Sequence, residues 1–268
     1  MIHGLKPYPE YKPSGIPWLG EIPQHWELVP LKSICTIQSG VTLGKLYIGE
    51  DLTEFPYLRV ANVQAGRLDL LTVKTLRLPS HEAKRSMLQK GDVLMTEGGD
   101  PDKLGRGCIW NGEISPCLHQ NHVFAVRPNS DRLRPHFLAA LLGSHYAKLY
   151  FLRTAKQTTN LASTNKTTIG QFRVLLPSVD EQDAMLRGLE VAVSPVTTAI
   201  RHIEREIALL REYRTRLITD VVTGKLDVRE AARHLPAEPE TEEFTAMDEA
   251  DDTVEGASSA LDEENITA

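Results

Sequence analysis

PVTTAIRHIEREIALLREYRTRLITDVVTG, residues 195–224, decides how the chain is read. Apolar residues fall at Val196, Ile200, Ile203, Ile207, Leu210, Leu217 and Val221, steps of four and three that give a helix one narrow apolar seam. Ser194 is expected as the N-cap, Pro195 as the first helical residue and Gly224 as the C-terminal cap. At about 1.5 Å per residue the helix is roughly 44 Å long. A stripe this narrow on a helix this long suits a partner helix, and packing on its own domain is the competing reading. Arg214 is the one polar residue in the seam, a place where polarity sets register at a cost in stability. Glu204, Glu206, Arg211 and Asp220 flank it and are placed to pair with a second helix.

The net charge of −6 conceals two regions. After Arg233 there is no Lys or Arg, but twelve of the 36 acidic residues, from Glu238 to Glu264. The remaining 24 acidic side chains stand against 30 basic ones, so the body carries +6. Residues 229–268 are expected to be a disordered acidic tail. Cys35, Cys108 and Cys117 are odd in number and lack metal-ligand spacing, which suits packing roles in a reducing cytoplasm. No apolar run approaches the ~18 residues a membrane span needs, and the N-terminus has no signal pattern.

Residues 1–26 hold Pro7, Pro9, Pro13, Pro17 and Pro23 among aromatics. They are expected to form an arm without regular structure, pinned to the core by Trp18, Leu19, Ile22 and Trp26. Between 27 and 178 the pattern implies a small mixed α/β domain, with strands near Thr36–Gln38, Tyr57–Val60, Asp92–Thr96, Gly107–Trp110, Val123–Arg127 and Phe172–Leu176. One helix is expected over 135–152. A second is expected from the capping box of Ser178 and Glu181 to about Val193, ahead of the long helix. The fold class is therefore α+β: a domain of short strands and polar loops, then a coiled-coil-type helical region over 179–228.

Catalytic signatures are missing. There is no phosphate-binding glycine loop, no nucleophile elbow and no aromatic double-proline motif for holding a flipped base. Asp100, Asp102 and Gly105 imitate the start of a calcium loop, but Leu104 and Asn111 stand where ligands belong. Glu97, Asp100 and Asp102 as a nuclease metal set lack a supporting lysine. Four polar loops remain, suited to base edges and phosphates: Asn62, Gln64 and Arg67; Thr96, Lys103 and Arg106; Gln120 and Asn121; and Lys156, Gln157, Asn160 and Lys166. Asn and Gln can grip adenine, Arg and Lys guanine, while Lys and Thr hold phosphates. A solvated-turn role competes at each position.

SGIPWLGEIPQHWELVPLKSICTIQSGVTLGK, PYLRVANVQAGRLDL, KGDVLMTEGGDPDKLGRGCIW, LPSVDEQ and LREYRTRLITDVVTGKLDV occur in that order between about Tyr11 and Val228. Together they resemble the specificity subunits of type I restriction–modification systems. The resemblance implies a DNA target recognition domain followed by a spacer helix, with no catalysis of its own. It implies docking of modification (methyltransferase) subunits that use S-adenosylmethionine, and of restriction subunits that add ATP and Mg2+. The usual subunit carries two such units with antiparallel spacer helices, whereas this chain carries one and shows no internal repeat. A half-length subunit acting as an antiparallel homodimer on a palindromic bipartite DNA site is therefore expected. The helix length corresponds to roughly 13 base pairs at about 3.4 Å each. A recognition cassette that pairs with another specificity subunit is the alternative, and a DNA-binding domain with its own nuclease activity is a further one.

Overall fold

The computed structural model describes residues 6–47, 51–99, 104–105, 107–157 and 162–233. They fall into two compact units, residues 1–186 and 187–268.

In chain order, β1 (Tyr11–Pro13), β2 (Glu21–Pro23), β3 (Glu27–Pro30), β4 (Cys35–Ser39), β5 (Thr53–Leu58), β6 (Val63–Gln64), β7 (Arg67–Leu68) and β8 (Lys74–Leu78) lead to the short helix α1 (Ser80–Ala83). Next come β9 (Val93–Thr96), β10 (Gly98–Gly99), β11 (Gly107–Ile109), β12 (Leu118–His119) and β13 (Val123–Pro128), then α2 (Pro135–Leu142) and α3 (His145–Thr154). The first unit closes with β14 (Lys156–Gln157), β15 (Ala162–Ser163), α4 (Lys166–Gln171), β16 (Arg173–Leu176) and the start of α5 (Val179–Val222), and α6 (Arg229–Arg233) follows.

The centre is a four-stranded antiparallel sheet, β11-β9-β13-β4. Its inner strands read Val93-Leu94-Met95 and Val123-Phe124-Ala125-Val126 without polar interruption, because both faces are covered. Val93, Met95, Phe124 and Val126 pack with Leu138, Leu142, Phe151 and Phe172 from the helical side. Leu94, Val123 and Ala125 pack on the other side with Leu58, Val63, Cys108 and Trp110. Asp92 is buried, and both its carboxylate oxygens accept from the Arg127 guanidinium at 2.7 and 2.8 Å. The three cysteines are unpaired thiols. Burial pushes each up to about 12, which keeps them protonated and unreactive.

Four expectations change. The proline-rich arm contains a regular antiparallel pair, β1–β2; Pro13 and Pro23 lie at its ends, where a missing N–H is tolerated. The helix expected over 135–152 is two helices, because Ser144 starts a new N-cap by accepting from the Ala147 N–H at 3.3 Å.

The helix expected from Ser178 to about Val193 and the one expected from Pro195 are a single helix, which begins at Val179 and runs unbroken through Pro195. The Ser178 hydroxyl accepts from the Glu181 N–H at 3.3 Å and supplies that earlier start. Leu189 and Val193 continue the seam spacing upstream, so helical patterning holds on both sides of the proline. At 44 residues the helix is about 66 Å long. Gly224, at φ +74°, ends it as expected. Finally, Arg229–Arg233 at the head of the acidic tail is helical, started by Asp227, which accepts from the Arg229 N–H at 3.0 Å. Residues 234–268 lie outside the described residues.

Candidate nucleic-acid interface

The pairing of the central sheet gathers the loops. Thr96 lies opposite Val123, Met95 opposite Gly107 and Phe124 opposite Ser39. The exits of β4 and β9 and the entries of β11 and β13 therefore share one end. Backbone hydrogen bonds then tie distant segments there. The Glu97 N–H donates to the His122 carbonyl (2.8 Å), the Thr164 N–H to the Glu97 carbonyl (2.7 Å), and the Asn121 N–H to the Val41 carbonyl (3.0 Å). Gly98 and Gly99 pair with Ser163 and Ala162, which pair in turn with Lys156 and Gln157. The Gly66 N–H donates to the Gly107 carbonyl at 3.3 Å and brings in the β6–β7 turn. Four stretches spread over about a hundred residues thus meet at one edge.

The positions singled out by sequence fare differently. Gln64, Arg67, Lys156 and Lys166 are exposed, and Thr96 and Asn121 are half-buried. The Gln64 amide donates to the Ala61 carbonyl at 2.8 Å. Lys166 opens α4 just after Asn165, whose side chain caps that helix by accepting from the Thr168 N–H. Lys103, Arg106, Asn160 and the Gln157 side chain lie outside the described residues, as do Asp100 and Asp102.

Asn62 is corrected outright. It is buried, its oxygen accepts from the Arg59 N–H, and its NH2 donates to the carbonyls of Asp69 and Thr72 at 2.8 and 3.0 Å. It holds the loop's shape and has nothing left for a base edge. Gln120 is also buried, at 8% exposure, and serves the loop's framework: its N–H donates to the Leu58 carbonyl.

Sequence reading missed the Glu97–His122 pair, 2.6 Å apart at the surface, which links two of the loops. It also missed that His119 is buried. Its Nδ1 lies 2.6 Å from the Val123 carbonyl, and burial holds its pKa below the usual imidazole range. Gly40 is a third omission. A Cβ there would sit 2.0 Å from the His119 carbonyl oxygen, so only glycine lets β4 leave the sheet against that loop.

At the start of α5, Glu181 accepts from Tyr8 Oη (2.7 Å) and Trp26 Nε1 (3.0 Å), and lies 3.0 Å from His25 Nε2. Burial pushes this carboxyl up, but the three hydrogen bonds together hold it below its usual value. Trp18 packs under the Arg153 guanidinium at 4.7 Å. The arm is thereby tied down by named contacts.

In the second unit, Val196, Ile200, Ile203, Ile207, Leu210 and Leu217 are each 39–59% exposed, Arg214 is exposed and Val221 is half-buried. No described helix is long and apolar enough to cross a membrane.

Residues 23–209 match the family model for the type I restriction modification DNA specificity domain. The chain is 26% identical over 188 residues to the putative type I restriction enzyme MjaX specificity subunit of Methanocaldococcus jannaschii, covering 69% of this chain and 44% of that one. It is 24% identical over 173 residues to the EcoKI specificity subunit of Escherichia coli K12, covering 64% and 37%. A chain from a solved type I R-M system, studied for complex assembly and conformational transition, superposes with a TM-score of 0.53 at 19% identity, covering 74% of this chain and 46% of that one. The chain spans less than half the length of these relatives. With a family match over more than half of its residues, the chain belongs to the type I restriction modification DNA specificity family.

Proposed function

We propose that this chain is the sequence-reading subunit of a type I restriction–modification system, acting as a half-length specificity subunit on double-stranded DNA. The observation that carries the reading is the gathering of four polar loops at one edge of a sheet buried on both faces, in a chain of this family. A rigid sheet presenting adaptable loops is the arrangement that positions side chains against base edges. Gln64, Arg67, Thr96, Asn121, Lys156 and Lys166 are the described candidates for contact, with Lys103, Arg106, Gln157 and Asn160 on the same loops. Glu97 joins them as an acceptor suited to cytosine N4.

The chain itself is non-catalytic in this reading. Modification subunits bring S-adenosylmethionine and take the target base out of the stack. A restriction subunit, where present, adds ATP- and Mg2+-dependent cleavage. Two copies pair through the seam of α5, and a two-fold assembly with one recognition unit per copy reads a palindromic bipartite site. The exposed apolar seam of α5 supports the pairing.

Selection from random duplexes by the chain with its modification subunit tests the reading. One symmetric, interrupted motif is expected. Recovery of no motif refutes the specificity role, and a motif with unrelated halves indicates pairing with a different specificity subunit.

A further inference from the structure

Continuity of α5 through Pro195 lengthens the exposed seam. Val193 and Leu189 occupy the next two seam positions upstream, and Leu226 and Val228 are exposed just past the helix end. Antiparallel helices with this repeat can engage in registers one heptad apart, and repeat spacing alone does not choose among them.

We propose that a second copy of this chain covers the seam in one register only, with Ile207 of each copy facing Leu210 of the other, and that Glu204, Arg211 and Arg214 select it. The proposal rests on the pairing of copies given under Proposed function.

In this register Val196 faces Val221, Ile200 faces Leu217, and Ile203 faces Arg214, so every seam residue from Val196 to Val221 meets another. On the flank, Glu204 lies nearest Arg211 of the other copy, and the two-fold axis repeats the contact. Arg214 enters opposite Ile203, between Glu204 and Glu206 of the other copy, where its stem can pack while its guanidinium reaches a carboxylate. Within the chain none of these four charged side chains makes an ion pair among the described residues, although Arg216, Asp220 and Lys225 nearby do.

The alternatives place like charges together. Shifting by a heptad, so that Leu189 faces Val221, sets Glu204 against Glu204 and Glu206 against Glu206. The opposite shift sets Arg211 against Arg211 and Glu206 against Asp220, and carries Val196 and Ile200 past the last helical seam residue, Val221. A parallel pair puts Arg214 against Arg214 inside the seam. Like charges facing each other across an interface destabilise it, and a buried charge without a partner does so strongly.

The test uses the full chain with Glu204→Arg and Arg211→Glu, each alone and mixed in equal amounts. Dimerisation is read by sedimentation equilibrium and helix content by circular dichroism. Each single variant turns both flanking contacts repulsive, and self-association weakens on the order of tenfold. The mixture restores complementary contacts and recovers dimer of wild-type affinity. A wild-type chain that stays monomeric, or pairs only with another protein, refutes the pairing of copies itself. A wild-type dimer unmoved by Glu204→Arg leaves the pairing standing and overturns the register. Weakening by Arg211→Glu but not by Glu204→Arg indicates parallel helices and also overturns it.

Discussion

Replacing Gln182 by leucine tests how the start of α5 is held to the recognition unit. Gln182 is fully buried in the first turn of the helix. Its carbonyl oxygen accepts from the Arg134 N–H at 2.8 Å, and its NH2 donates to the carbonyls of Arg132 (2.8 Å) and Pro177 (3.0 Å). Leucine nearly matches the volume but removes all three bonds and takes the side-chain partner from the Arg134 N–H and the Arg132 and Pro177 carbonyls, the last of them buried. At about 1 kcal/mol per neutral bond the loss is about 3 kcal/mol. A unit of this size loses roughly 2–4 °C of melting temperature per kcal/mol, so a fall of about 6–12 °C is expected. Trp18, Trp26 and Trp110 all belong to the first unit, so thermal unfolding followed by tryptophan fluorescence reports on it selectively. The adjacent Arg134–Asp183 pair supplies the contrast. It is over a third exposed on both sides, so Asp183→Asn costs under about 1 kcal/mol. A Gln182→Leu protein that melts within a degree or two of wild type refutes the reasoning.

Gly40→Ala drives a Cβ against two backbone carbonyls of the 119–120 loop, costs about 2–3 kcal/mol and displaces Asn121; reduced sequence preference alongside a lower melting temperature checks it. Lys156→Ala and Lys166→Ala each weaken binding to all sequences alike and lower the salt slope of log K by about 0.9, measured by titration at several salt concentrations. Glu181 is held below its ordinary pKa, so its contribution is fully present above the unfolded glutamate value near ~4.3. That contribution disappears as pH falls through the lower folded value, and limited proteolysis of the arm should accelerate over that window and, in Glu181→Gln, at neutral pH as well. Arg214→Leu removes the seam's one charge, so pairing tightens and loses its single orientation, read from sedimentation and cross-linking.

Where a strand is buried on both faces, its sequence announces it. Val93–Met95 and Val123–Val126 are unbroken apolar runs, and they carry the central sheet. The two-residue strands at Gly98–Gly99, Lys156–Gln157 and Ala162–Ser163 are too short to show a period, and they are the ones that tie the loops together. Asn62 looked like a base reader because its partners, Asp69 and Thr72, are identified only by the folded loop. Glu97 and His122 are 25 residues apart, and the antiparallel pairing of β9 with β13 makes them neighbours. Pro195 misled for a local reason: at a helix start it costs nothing, so the pattern from the Ser178 cap and the pattern from Pro195 look like two helices where the chain forms one. The long helix, by contrast, is legible in its spacing, with Arg214 the one polar break in the seam from Val196 to Val221.

The central claim is that this chain supplies the sequence specificity of a methyltransferase complex. Its most direct test is methyl transfer from S-adenosylmethionine to genomic DNA by the modification subunit, with and without this chain, followed by sequencing that locates the modified bases. Modification confined to one interrupted palindrome, and only when the chain is present, is the predicted result. Equal modification without the chain, or none with it, contradicts the account.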